Sequence, residues 1–180
     1  APLYPYVVGA IYSIWGRDLM ILRAGQAVLG ATACALVGAA GARMFSPLAG
    51  IVAGTLLAVY PPAIFFDSLI QKSVLDVFFI SLSLWLIARL MATPQRPRDW
   101  LWLGLAMGGL SLTRENALVF ILVVLAWLWW GQSSPRHAPA RAAATFALGL
   151  ALVLTPVALR NYAVGGGLYV TTSQLGPNFY

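Results

Sequence analysis

The stretch Tyr60-Pro-Pro-Ala-Ile-Phe-Phe-Asp-Ser-Leu-Ile-Gln-Lys-Ser-Val-Leu-Asp76 puts two carboxylates and an ammonium, Asp67, Asp76 and Lys72, in a turn between apolar segments. A carboxylate there can act as a base toward a hydroxyl, and a cation can hold a phosphate. Pro61 and Pro62 predict the end of the preceding helix, because a proline removes a donor and biases its predecessor away from helical geometry. From Asp67 the chain can turn helical again. Ser68, Lys72 and Asp76 then fall four residues apart on one stripe, where Lys72 and Asp76 are expected to meet. Asp67 would point to roughly the opposite side. Ionisable groups at the mouth of a membrane bundle imply function by default. The alternative is a surface turn whose charges are only solvated.

The rest of the chain must position that turn, and its composition says in what solvent. Of 180 residues, 61% are hydrophobic and 9% charged, against about 25% charged in a soluble domain. With a mean hydropathy of +0.83 this is an integral membrane protein. The net charge of +6 lies in short loops between apolar spans, which fits membrane anchoring and not a nucleic-acid patch. Cys34 is alone in mid-span and His137 alone in a loop, so neither a disulfide nor a metal site is expected. No nucleotide fingerprint and no Ser/His/Asp triad can be assembled. The chain has no initiator Met and halts in a polar loop, so it reads as a piece of a longer protein.

Residues 3–15 are too short to span a bilayer and carry Tyr4, Tyr6, Tyr12 and Trp15, which predicts an interfacial helix. Spans are expected at about 19–44, 48–66, 73–91 and 142–159. In the first, Gly30, Cys34, Gly38 and Ala42 recur every four residues and offer a face for close helix packing. Arg23 and Gln26 near its start either face the polar mouth or, for Arg23, snorkel to the surface. Residues 100–113 and 116–131, interrupted by Thr113-Arg-Glu-Asn116, would make one helix of about 48 Å, far too long for a core of about 30 Å. A short hairpin is expected instead. It puts Trp100/Trp102 and Trp127/Trp129/Trp130 at one interface and Arg114-Glu115 at its tip, as a site or as a pinning ion pair. Residues 160–180 are expected to form an outer loop with a short strand near 168–173.

This topology segregates the charges. One side collects Arg43, Arg89, Arg96, Arg98, Arg136 and Arg141 with only Asp99, nearly unpaired as topology anchors are. The other interleaves Arg17, Arg23, Lys72, Arg114 and Arg160 with Asp18, Asp67, Asp76 and Glu115. The second side is read as the working, outer face. Lys72, Arg114 or Arg160 there can bind a phosphate, although Arg160 serves equally well as a helix-end cap.

Four segments now carry a resemblance: Pro2-Leu-Tyr-Pro5, Ala58-Val-Tyr-Pro-Pro62 leading to Gln71-Lys-Ser-Val-Leu-Asp76, Gly104 through Leu112-Thr-Arg114, and Pro156 through Arg160-Asn-Tyr162. In this order they resemble the bacterial glycosyltransferase family 39 group, relatives of protein O-mannosyltransferases and of the aminoarabinose transferase acting on lipid A. The resemblance implies an all-α, GT-C-like polytopic membrane helix bundle, here partial, in the bacterial inner membrane. It implies a polyprenyl-phosphate-linked sugar donor, an acceptor that is a lipid, glycan or protein on the periplasmic face, and transfer with inversion by an acidic base. That family's main catalytic Asp precedes Pro-Leu-Tyr-Pro, hence upstream of this chain, which alone is expected to be inactive. A second acid matches Asp76 by position, with Asp67 as runner-up. Lys72, Gln71, Arg114, Glu115, Arg160 and Tyr4 are the candidate substrate and donor-phosphate contacts, Tyr4 being equally an interface aromatic. No cofactor is evident and no metal is predicted. A transporter or flippase for a lipid-linked sugar is the alternative, disfavoured by the lack of internal repeats. A scaffold without chemistry leaves the charges unexplained.

Overall fold

The computed structural model describes residues 2–93, 96–130 and 138–165, with backbone alone at 115, 130, 138 and 165. Long apolar runs without water must satisfy their backbone internally, and helices do so. The described residues form α1 (Leu3–Trp15), α2 (Leu19–Met44), α3 (Pro47–Ala58), α4 (Pro61–Ser68), α5 (Ser73–Ala92), α6 (Pro97–Thr113), α7 (Leu118–Trp130) and α8 (Ala138–Gly165), with a 3₁₀ turn at Glu115–Ala117. They contain no strand. The expected strand near 168–173 lies outside the described residues.

α2, α5 and α8 are long and apolar enough to cross a membrane, and α3 with α4 would make a fourth span broken by a 50° bend. The bend corrects the expected continuous span at 48–66. Pro61 and Pro62 do not merely stop a helix; they occupy the first turn of α4, where a missing N–H costs nothing. Large apolar side chains such as Leu48, Ile51, Leu56, Val119, Phe120 and Leu152 face outward, as a lipid-facing surface requires. Asp18 caps α2 by accepting from the Met20 N–H, and Ser46 caps α3 by accepting from the Ala49 N–H.

The bundle is organised around α6. Twelve of its seventeen residues are buried, and it is flanked by α5, α7 and α8. α7 folds back beside it, so that Trp100 and Trp127 meet with ring centroids 5.6 Å apart. Close approach rests on small residues, as is usual between membrane helices. A Cβ on Gly104 would strike the Phe146 carbonyl oxygen of α8, and one on Gly149 the Leu101 carbonyl oxygen of α6. On the other side of the bundle, Gly38 and Gly41 of α2 lie against Gly50 and Gly54 of α3. Gly104→Ala is expected to force α6 and α8 apart and cost about 1–3 kcal/mol. A detergent melting curve unchanged from wild type would show that the two backbones have room to spare.

α8 runs to Gly165, beyond the expected boundary at 159, so residues 160–165 are helix and not outer loop. Pro156 lies inside it without ending it. Proline forfeits one backbone bond in a helix interior, which neighbouring helices make tolerable in a membrane.

Candidate active site

The turn at 69–72 is where α2, α5 and α6 converge. α4 ends at Ser68, and the chain crosses to α5 with the Gln71 N–H donating to the Leu69 carbonyl at 2.9 Å. Gln26 of α2, 3% exposed, secures this crossing: its Nε2 donates to the Leu69 carbonyl, also at 2.9 Å. Its Oε1 and the Nε2 of Gln71 are buried without partners.

Lys72 and Asp76 stand one helical turn apart, with the Asp76 N–H donating to the Lys72 carbonyl at 3.2 Å. Their side chains do not pair with each other as expected. Both reach across to the end of α6 instead. Lys72 Nζ donates to the Thr113 carbonyl at 3.0 Å, and Arg114 Nε donates to Asp76 Oδ2 at 2.6 Å. The α6 end wins because a helix C-terminus leaves carbonyls unpaired and draws cations. It also presents, one residue on, a guanidinium that matches a carboxylate better than an ammonium does. Ser68 is off the stripe, because the break at 69–72 separates it from α5.

The Arg114–Asp76 pair is lopsided. The Asp76 side chain is 5% exposed and that of Arg114 60%. Asp76 Oδ1 is buried and has no partner. Since buried polar atoms are normally hydrogen-bonded, an orphaned carboxylate oxygen beside two cations calls for an explanation. Lys72 is exposed and Gln71 half-buried. Lys72, Asp76 and Arg114 thus meet at the end of α6, with Gln71 next to Lys72 in the crossing, and make this end of the bundle its charged mouth.

The remaining candidates fall elsewhere. Asp67, in the last turn of α4, lies against Gly30 of α2, where a Cβ would collide with its Oδ2. It lines a separate cavity of about 370 Å³ with Cys34, Leu57, Ile64 and Val77. Arg160 lies over the Tyr6 ring, 5.5 Å from its centroid, tying the end of α8 to α1. Tyr4 is in the same helix with its hydroxyl buried and unpartnered. Burial, and secondarily Tyr12, raises its phenol above the usual value. Among the described residues neither Arg160 nor Tyr4 bonds to Asp76, Lys72 or Arg114. The Glu115 side chain, expected to pair with Arg114, lies outside the described residues. No group of three or more His, Cys, Asp or Glu converges as a metal site among the described residues.

Two further groups contribute at this end, Gln26, in one of the placements expected for it, and the Thr113 carbonyl. Gln26 carried a signal, a polar amide inside an apolar span. The Thr113 carbonyl carried none, because a backbone acceptor has no residue type. At the far end, Arg89 and Asp99 are joined at 2.9 Å, so the Arg-rich side is less unpaired than its composition implies.

The family described as dolichyl-phosphate-mannose-protein mannosyltransferase matches residues 1–159. No curated protein and no solved structure matches the chain. A helix bundle of this kind, with its charged mouth on the segments that carried the resemblance, agrees with that match. The chain belongs to the dolichyl-phosphate-mannose-protein mannosyltransferase family, membrane glycosyltransferases of the GT-C kind.

Proposed function

We propose that the Asp76 end of the bundle serves transfer of a sugar from a polyprenyl-phosphate carrier to a hydroxyl of a lipid, glycan or protein acceptor. The observation that carries this reading is the buried Asp76 carboxylate with one oxygen on Arg114 and the other unpartnered, beside Lys72. In the reaction the bond from the sugar's anomeric carbon to the phosphate oxygen breaks as the acceptor oxygen bonds to that carbon. The acceptor loses its proton to a carboxylate, and the carrier leaves as polyprenyl phosphate. Asp76 Oδ1 accepts a hydrogen bond from the acceptor hydroxyl, orienting it or assisting a further base. Lys72 and the outer edge of Arg114 face the departing phosphate, where charge accumulates. The interleaved acids and cations of this end support its assignment to the outer, periplasmic face of a bacterial inner membrane.

Lys72→Met tests the phosphate contact. Lys72 is exposed and gives the fold one hydrogen bond, so the variant should assemble normally. Losing a charge-assisted bond to the donor should raise the apparent KM for the lipid-linked sugar roughly 10–100-fold, with a smaller fall in kcat. The assay is transfer by the purified intact protein. An unchanged KM would remove Lys72 from the donor site.

A further inference from the structure

At the end of the bundle opposite Asp76, α5 and α6 enclose a recess of about 310 Å³ lined by Trp85, Arg89, Arg98, Asp99 and Trp102 with Leu82 and Leu86. Asp99, in the first turn of α6, is 2% exposed and accepts from Arg89 Nη2 through Oδ1 at 2.9 Å. The Arg89 guanidinium also lies over the Trp85 ring, 4.7 Å from its centroid. It is therefore held on one edge by a carboxylate and on one face by an indole. A guanidinium has five N–H donors in a rigid plane, so such a hold leaves a preoriented edge for an anion. Arg98, exposed and without a partner among the described residues, supplies a second cation to the same recess.

The arrangement does little for the fold alone. Replacing a buried ion pair by apolar packing is often neutral or stabilising. Asp99 is also left with its Oδ2 buried and unpartnered. Two arginines over one aspartate leave a single positive charge, which complements a singly charged phosphate diester. The surroundings select the source of that diester. Arg89 is in the last turn of a membrane-crossing helix, and Trp102, 46% exposed, stands at the recess beside the Trp100–Trp127 pair, as aromatics do at a bilayer surface.

We propose that this recess is a seat for the headgroup of an anionic phospholipid, its phosphate held by Arg89 and Arg98 and its acyl chains running outward past Trp102. Asp99 is a positioning residue that acts through Arg89. The seat is distinct from the donor mouth and independent of the reaction assigned to it.

The test is occupancy by dioleoylphosphatidylglycerol, read by native mass spectrometry of the intact purified protein. Diacylglycerol and inorganic phosphate serve as comparators. Arg98→Gln and Arg89→Lys should each weaken binding about tenfold, the worth of one charge-assisted bond. Arg43→Gln removes a cation from the same end of the bundle, outside the recess, and should leave binding unchanged. Arg89→Lys keeps the charge but loses the planar edge, so wild-type binding by it would overturn the seat. So would equal losses from Arg98→Gln and Arg43→Gln, equal occupancy by diacylglycerol, or displacement of the lipid by millimolar phosphate. If Arg89→Lys does not fold, the exposed Arg98→Gln set against Arg43→Gln decides the matter.

Discussion

Asp76→Asn should reduce sugar transfer by roughly 10²–10⁴-fold, the contribution of a positioned acid–base group. The loss should appear mainly in kcat, because the donor cations are untouched. The fold should change little. Asparagine keeps the volume and can still accept from Arg114 Nε, and a guanidinium exposed over 60% of its side chain can be resolvated by water. A melting temperature near wild type together with lost transfer in the intact protein is therefore the expected pair of results. Asp76→Asn at the wild-type rate would remove Asp76 from the reaction. Asp67 would then be the acid to examine, although it lines a different cavity, between α2 and α4.

The residues of this site were legible by type, whereas their pairing was not. Apolar runs about as long as a bilayer is thick gave away α2, α5 and α8, because the lipid solvent permits little else. The same dearth of charge made each ionisable side chain conspicuous, so Asp76, Lys72 and Arg114 stood out. Their partners depend on facts that residue spacing does not encode. Arg114 reaches Asp76 only because α6 ends at Thr113, at the level where α5 begins. Across 38 residues of chain, that level is set by side-chain packing along the whole of α6. Spacing alone puts Ser68 on the Lys72–Asp76 stripe of one helix, but Leu69 in extended geometry closes α4 and the crossing follows. The glycines Gly104 and Gly149 show the same limit. Each is unremarkable alone, and only the contact of α6 with α8 reveals that the two backbones lie too close for a Cβ at either position.

The lopsided exposure of the Arg114–Asp76 pair leads to an asymmetric stability result. Arg114→Leu leaves Asp76 buried with neither carboxylate oxygen paired, which should cost about 1–3 kcal/mol, toward the upper end because the group is a charge. Asp76→Asn removes only the charge of the opposite partner and keeps an acceptor, and Arg114 also reaches water, so this variant should lose far less. The double variant Arg114→Leu with Asp76→Asn should then melt higher than Arg114→Leu alone, since the stranded charge is gone. Such a recovery is the non-additive signature of two residues in direct contact. Melting of the four proteins in one detergent reads it directly. Additive losses would mean that Asp76 finds water or another donor when Arg114 is gone. The orphaned Oδ1 would then be open to solvent, and the case for a hydroxyl as its natural partner would fall with it.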